Sequence, residues 1–262
     1  FIAENLSARH SEFAQRLQQL DNATLHAPAG LHAELRPYQL QGLAWMQGLA
    51  ELDIGGLLAD DMGLGKTLQA IALVSACRNG PSLVVCPKSL LGNWRSEFER
   101  FAPSIKVTVV SGSGREKALE SMDANSVIIT SYPLISRDLA NYQKQDFELV
   151  LLDEASAIKN PDTEAAKALR SLKAKARFAI TGTPLENGVR DLWSVMTFAL
   201  PGYLGSRDNF KERFEQPIAS SLASPAGQQA VARLRKLIRP WFLRRTKKQV
   251  LRDLPEKIEQ VL

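Results

Sequence analysis

Lys66 and Thr67 close the run Asp60-Asp61-Met62-Gly63-Leu64-Gly65-Lys66-Thr67, which follows the apolar stretch Ile54-Gly55-Gly56-Leu57-Leu58-Ala59 and precedes a segment with helical spacing. This arrangement suits anion chemistry. A strand that turns sharply into a helix aims several backbone N–H groups at one point, and the helix N-terminus adds partial positive charge there. Gly63 and Gly65 let the backbone wrap an oxyanion, Lys66 reaches toward β/γ-phosphates and the Thr67 hydroxyl can ligate magnesium, so the expected ligand is Mg·ATP. Asp61, Met62, Leu64 and Leu68 complete the candidate nucleotide-binding set. Asp60 stands where the full phosphate-loop pattern has glycine, which leaves open a plain glycine-rich turn with a solvated lysine.

A second constellation supports the first reading. The apolar run Phe147-Glu148-Leu149-Val150-Leu151-Leu152 leads directly into Asp153 and Glu154, two adjacent carboxylates at the end of an expected central strand. In phosphoryl transfer Asp153 would hold the magnesium, while Glu154 would orient or deprotonate the attacking water. A strand exit capped by solvated acids is the alternative. The candidate catalytic residues are therefore Lys66, Asp153 and Glu154, with Thr67 and Asp153 on the metal.

These residues need a scaffold, and the hydrophobic pattern supplies one. Short apolar runs near residues 57–59, 82–86, 106–110, 127–130, 149–153 and 178–181 alternate with longer helical patterns. Continuous Val/Ile/Leu runs without in-and-out alternation indicate strands covered on both faces, hence an α/β fold with a parallel sheet between helices. Ligands gather at the carboxyl ends of such strands, so the loops after these runs should share one rim. Residues 1–30 read as an N-terminal helical appendage and loop, 31–200 as the ATP-binding lobe and 201–240 as a helical insertion, which leaves 241–262 as an exit segment, identified with a brace helix only by the resemblance given below. The absence of an initial methionine and the alternating pattern at 257–262 suggest a fragment.

Composition narrows the classes. All three histidines, His10, His26 and His32, precede the phosphate loop, so the apparent core lacks the usual base of a hydrolase triad. Cys77 and Cys86 lack metal-ligand spacing and read as buried apolar residues. No stretch approaches the roughly 18 uninterrupted apolar residues of a membrane span, so no membrane partner is expected and the cytoplasm is the expected compartment. The 33 Lys+Arg against 28 Asp+Glu give a charge of +5, a bias that fits nucleic acid. The bias concentrates between Val231 and Arg252, which carry Arg233, Arg235, Lys236, Arg239, Arg244, Arg245, Lys247, Lys248 and Arg252 with no acid among them. A solvated face and a phosphate-contacting face both fit that run, and Trp241, Phe242 and Leu243 within it must pack. Trp45, Trp94 and Trp193 lie in helical patterns and read as core rather than base-stacking platforms.

The ordered blocks LRPYQLQGLAWM from Leu35, LLADDMGLGKTLQAIAL from Leu57, LVVCPKSLLGNW from Leu83, IITSY from Ile128, LVLLDEASAIKN from Leu149, ITGTPLEN from Ile180 and FLRRTKKQVLRDLPEK from Phe242 cover most of the chain. Together they resemble the Swi/Snf-type DNA-dependent ATPases, the double-stranded DNA translocases of helicase superfamily two. The resemblance implies a RecA-like first ATPase lobe, with Gln39 on the adenine. It places double-stranded DNA phosphates near Lys88, Ser89 and Asn93 and near Thr130 and Ser131. It assigns Thr181, Gly182 and Thr183 to coupling nucleotide state with DNA grip, and Arg244 and Arg245 to the brace. DNA-bound proteins or the transcription machinery are implied as further partners, in a bacterial nucleoid or a nucleus. Two departures stand out: Asp61 replaces a common glutamate, and Ser156 replaces a common histidine.

The resemblance also implies a second lobe in cis, carrying arginine fingers, which lies outside this chain. Such arginines contribute about 10³ to 10⁵ in rate, so one lobe is expected to bind nucleotide, hydrolyse it poorly and not translocate. Other superfamily-two helicases, a restriction-type translocase and a degenerate nucleotide-gated DNA-binding module remain as alternatives.

Overall fold

The computed structural model describes residues 25–120, 123, 125–182, 188–221 and 224–250. The expected N-terminal helix, Thr183 and the alternating pattern at the end of the chain lie outside them.

The apolar runs form seven strands, β1 (Gly56–Leu58), β2 (Ser82–Cys86), β3 (Lys106–Val109), β4 (Ser126–Ser131), β5 (Asp146–Leu152), β6 (Lys173–Ile180) and β7 (Phe242–Leu243). They make one sheet in the order β3-β4-β2-β5-β6-β1-β7 with every pairing parallel. All residues of β1, β2 and β4 are buried, which explains their unbroken apolar character, because helices cover both faces.

Helix α1 (Pro37–Glu51) packs on α2 (Lys66–Ala76), which in turn touches α3 (Leu91–Phe101). Helices α4 (Arg115–Glu120), α5 (Tyr132–Arg137), α6 (Leu139–Tyr142), α7 (Glu164–Ser171) and α8 (Val189–Ala199) follow. Among them α5 packs on α7 and α7 on α8. The split follows from chain direction. The crossovers β1→β2→β3 run one way along the sheet and β3→β4→β5→β6 run back, and right-handed connections then place their helices on opposite faces.

Residues after the last turn of α8 form a helical layer: α9 (Arg207–Phe210), a π-helical stretch at Lys211–Glu215, α10 (Gln216–Ser220) and α11 (Pro225–Ile238). Ser224 caps α11 by accepting the Gly227 N–H at 3.0 Å. The chain then returns through Arg239–Trp241 to β7 and ends its described part in the short α12 (Lys247–Val250).

The tryptophans are core residues, as the spacing indicated: Trp94 is fully buried, while Trp45 and Trp193 are 6% and 8% exposed. Each indole N–H also finds an acceptor, with Trp45 donating to the Pro240 carbonyl at 3.0 Å and Trp193 to that of Gly205 at 3.4 Å. Cys86 is fully buried and Cys77 partly so, and burial pushes their thiols up to about 12 and about 11 respectively. No described helix is long and apolar enough to cross a membrane. The seventh strand is a correction to the sequence reading. Phe242 and Leu243 pair with Leu57 and Leu58, so the exit segment begins as part of the sheet.

Candidate functional site

Sheet order explains why distant motifs meet. The neighbours β5, β6 and β1 end in Asp153-Glu154, Thr181-Gly182 and the phosphate loop, so three loops share one stretch of rim. Gly65 caps α2 in the left-handed region at φ 69°, and Gly63 before it has φ 84°. A Cβ at Gly65 would stand 2.4 Å from Gln39 Nε2, so glycine serves both the turn and the close approach of Gln39. Gln39 is buried; its amide donates to the Leu64 carbonyl at 3.3 Å and its Oε1 accepts the Arg36 N–H at 2.9 Å.

Lys66 folds across its own loop, donating to the carbonyls of Asp60 at 2.8 Å and Asp61 at 3.1 Å. Burial lowers its pKa, while Asp60, Glu154, Asp153 and Asp61 act in the opposite direction. A Cβ at Gly182 would meet Met62 Cγ at 2.9 Å and Lys66 Nζ at 3.1 Å, so the β6 turn lies directly against the lysine. The ammonium is thus held near neutral acceptors that an incoming phosphate oxygen, a stronger acceptor, can replace.

The acidic pair is built differently. Asp153 Oδ2 accepts the Trp94 indole N–H at 2.8 Å, and Oδ1 accepts the Glu154 N–H at 3.0 Å. The Tyr132 hydroxyl donates to the Asp153 backbone carbonyl at 2.7 Å. Glu154 takes the left-handed conformation at φ 51°, an uncommon state for a non-glycine residue and one that concentrates at functional sites. Burial raises its carboxyl pKa, the Asp153 charge raises it further and Lys66 opposes both, so the carboxylate is a stronger base than an exposed glutamate. Among the described residues no group of three or more His, Cys, Asp and Glu could cage a metal. That suits magnesium, which uses one or two carboxylates and takes its other ligands from phosphates and water. Asp153 and Thr67 are the residues that fit this role.

Asp60, the residue in the glycine position, has a structural task. It is fully buried, and its Oδ1 accepts both the Arg245 backbone N–H at 2.9 Å and the Arg245 Nε–H at 3.0 Å. Arg245 also ion-pairs with Asp60 Oδ2, donates to the Tyr38 carbonyl and reaches Gln69 Oε1 at 2.8 Å. Its guanidinium lies 5.3 Å from the Tyr38 ring centroid. Alongside, Ala59 donates to the Leu243 carbonyl at 2.7 Å, Asp61 to that of Arg245 at 3.0 Å, and Asp61 Oδ2 accepts the Lys247 N–H at 3.0 Å. The phosphate loop and the exit segment therefore form one hydrogen-bonded unit.

Several sequence assignments change on these grounds. The Asp61 carboxylate, expected in the nucleotide set, turns to the exit segment. Leu64 is fully buried, and Tyr38, Gln39 and Gln69 all donate to its carbonyl; Leu68 packs against the core and Met62 is 65% exposed. Thr130 is fully buried between the Val110 carbonyl, 3.3 Å from its hydroxyl, and the Tyr142 hydroxyl at 3.0 Å, so its side chain cannot reach DNA as expected. Ser131 beside it is 3% exposed. Lys88, Ser89 and Asn93 are exposed at the end of β2 and the start of α3. Thr181 is buried and donates its N–H to the Leu58 carbonyl at 3.1 Å, joining β6 to β1. The Arg245 clamp and the Trp94 and Tyr132 contacts escaped the sequence reading. An acid in a glycine position, with a basic run lacking nearby acids, was the only signal of the first.

A glycine-lysine loop, the Thr181-Gly182 turn and an acidic strand end at adjacent ends of a parallel sheet define a RecA-like nucleotide-binding lobe. The chain belongs to the SNF2-related family, whose domain model matches residues 38–262. It is 38% identical over 278 residues to the TATA-binding protein-associated factor MOT1 of Saccharomyces cerevisiae, covering 96% of this chain and 15% of that protein. It is 36% identical to Helicase ssl-1 of Caenorhabditis elegans over 98% of this chain and 11% of the other. An uncharacterized ATP-dependent helicase of Mycoplasma pneumoniae is 42% identical over 86% of this chain and 22% of its own length. The chain thus spans less than a quarter of these relatives. The solved SWI2/SNF2 ATPase core of Sulfolobus solfataricus in complex with double-stranded DNA superposes with a TM-score of 0.79 at 42% identity, over 88% of this chain and 49% of that one.

Proposed function

We propose that this chain is the first ATPase lobe of a double-stranded DNA translocase, which binds Mg·ATP here and hydrolyses it efficiently only with a second lobe in cis. The observation that carries this reading is the placement of Lys66 beside Gly182 and within the electrostatic reach of Asp153 and Glu154. Lys66 exchanges its carbonyl partners for phosphate oxygens, Gly63 and Gly65 leave the backbone free to approach them, and Gln39 borders the same loop on the adenine side. Glu154, made more basic by its surroundings, orients the attacking water and takes its proton. Magnesium, held by Asp153 and Thr67, would neutralise charge developing on the phosphates. Lys88, Ser89 and Asn93 form the exposed edge offered to duplex phosphates, and Thr181, Gly182 and Thr183 relay nucleotide state. Such a motor would work in a nucleus or a bacterial nucleoid on DNA-bound proteins, a reading supported by the likeness to a TATA-binding protein-associated factor.

The test is steady-state ATP hydrolysis by the full-length protein with no DNA, single-stranded DNA or duplex, with this lobe run alongside. Strong stimulation by duplex and a nearly inert lobe are expected, without strand separation. Lys66→Ala should abolish Mg·ATP binding, because it removes a charge-assisted phosphate contact. Hydrolysis unaffected by any DNA despite intact ATP binding would favour the degenerate module, for which the Ser156 substitution is the motive; separation of strands would favour another superfamily-two helicase.

A further inference from the structure

Asp153 is held by side-chain donors from two helices, of which α3 carries the edge offered to DNA. Trp94 follows Asn93 on α3, the helix entered through Lys88 and Ser89, and donates to the carboxylate at 2.8 Å. Tyr132 opens α5 immediately after β4 and donates to the backbone carbonyl at 2.7 Å. The sheet order makes this possible, since β4, β2 and β5 are neighbours and their ends lie side by side. Both donors are firmly seated: Trp94 is fully buried with its ring centroid 6.1 Å from that of Phe98, and Tyr132 is 7% exposed. Burial and the nearby Asp153 raise the Tyr132 pKa well above its ordinary value, so the hydroxyl keeps its proton. With Oδ2 committed to Trp94 and Oδ1 to the Glu154 N–H, the carboxylate plane is set by two groups, and Tyr132 fixes the adjoining backbone carbonyl. The indole belongs to α3, the helix that begins at the edge offered to duplex. The Ser156 hydroxyl, at the position where a histidine is common, makes no side-chain hydrogen bond among the described residues.

We infer that Trp94 and Tyr132 are positioning residues: duplex contact on α3 sets the orientation of the Asp153 carboxylate through Trp94, while Tyr132 holds the backbone beside it, and the chemical step follows. A rigid helix transmits displacement, and the one hydrogen bond from Trp94 ties that displacement to the carboxylate. A group that orients a metal-binding carboxylate affects metal affinity or turnover by about 10-fold to 100-fold when removed. Trp94 acts on the carboxylate itself and Tyr132 only on the adjoining carbonyl, so the tryptophan has the larger effect.

The inference rests on the motor reading above, and the experiment separates the two. Duplex-stimulated hydrolysis by the full-length protein is measured for the wild type, Trp94→Phe and Tyr132→Phe, with titrations of ATP, magnesium and duplex. For Trp94→Phe the stimulated kcat should fall about 10-fold to 100-fold and the magnesium needed for half-maximal rate should rise. The KM for ATP and the Kd for duplex should stay within about threefold, because ring packing and the exposed edge persist. Tyr132→Phe removes one oxygen and decides the matter if Trp94→Phe does not fold; its stimulated kcat should fall about threefold to tenfold, the effect of one neutral hydrogen bond. Full stimulation with unchanged magnesium dependence in both variants would overturn the inference. Parallel loss of kcat, ATP affinity and duplex affinity would also overturn it, since that pattern marks a structural role. A wild type that no duplex stimulates would overturn the motor reading itself.

Discussion

The phosphate loop and the acidic strand end share one rim of the sheet, on either side of the end of β6, yet they are held by different physics. Asp60 is a fully buried charge paired to a guanidinium with three further anchors, and the loop is laddered to the exit segment by backbone bonds. Asp153 stays partly exposed and is held by an indole, a phenol and one amide, each neutral. Breaking a buried ion pair costs about 3 to 5 kcal/mol, whereas a hydrogen bond to a charged group contributes about 1.5 to 3. The loop is therefore tied to the exit segment by a buried ion pair and backbone bonds, whereas the acidic end is held by single hydrogen bonds from neutral donors.

The sharpest way to break this comparison is Glu154→Gln in the full-length protein. The amide cannot accept the proton of water, so kcat should fall by about 10² to 10⁴ while ATP affinity is kept, because binding belongs to the loop. Equal turnover, measured beside an ATP-binding titration, would remove Glu154 from the chemistry.

Arg245→Ala tests the other side. It takes the guanidinium from the buried Asp60 carboxylate, leaving only the backbone N–H at position 245 and the Gln69 amide, and should lower stability by about 3 to 5 kcal/mol in urea denaturation, with weaker ATP binding as the loop loosens. The exposed Arg95–Glu99 pair at 2.8 Å supplies the control, and Arg95→Ala should shift stability by about 1 kcal/mol or less. Similar shifts in the two variants would mean that the clamp does not stiffen the loop.

The smallest effect is in pH. Glu154 is raised from an ordinary 4.5 by burial and by Asp153, so it takes up its proton at a higher pH than a free glutamate does. The acidic limb of the kcat profile should lie above that value, with turnover lost as pH falls through it. The stability sign runs the other way. A folded-state preference for the protonated carboxyl favours folding below the unfolded pKa, and this contribution is lost as pH rises through the folded one. A limb at or below the ordinary value would show that the acidic end is not desolvated in the working complex.

Much of this was legible from residue order alone. Unbroken apolar runs identified β1, β2, β4 and β5 because strands buried on both faces have no polar side to display. The pairing of Lys66 with Asp153 and Glu154 followed because loops at the carboxyl ends of a parallel sheet share a rim. Strand β7 was hidden by its length of two residues, too short for any period to register. The resemblance implied DNA contacts at Thr130 and Ser131, and residue order gave no sign that the Thr130 hydroxyl would turn inward to Tyr142 and the Val110 carbonyl.

What sequence determined by itself was the parallel α/β lobe, with the glycine-lysine loop and the Asp153-Glu154 pair at strand ends, because these depend on local patterns of polarity and on glycine, lysine and acid at short spacing. Only the tertiary structure decided that Asp60 belongs to Arg245, 185 residues away, and that Asp153 belongs to Trp94, 59 residues away. Such partnerships are created by strand order and crossover direction, and no local pattern encodes which strand end will stand beside which.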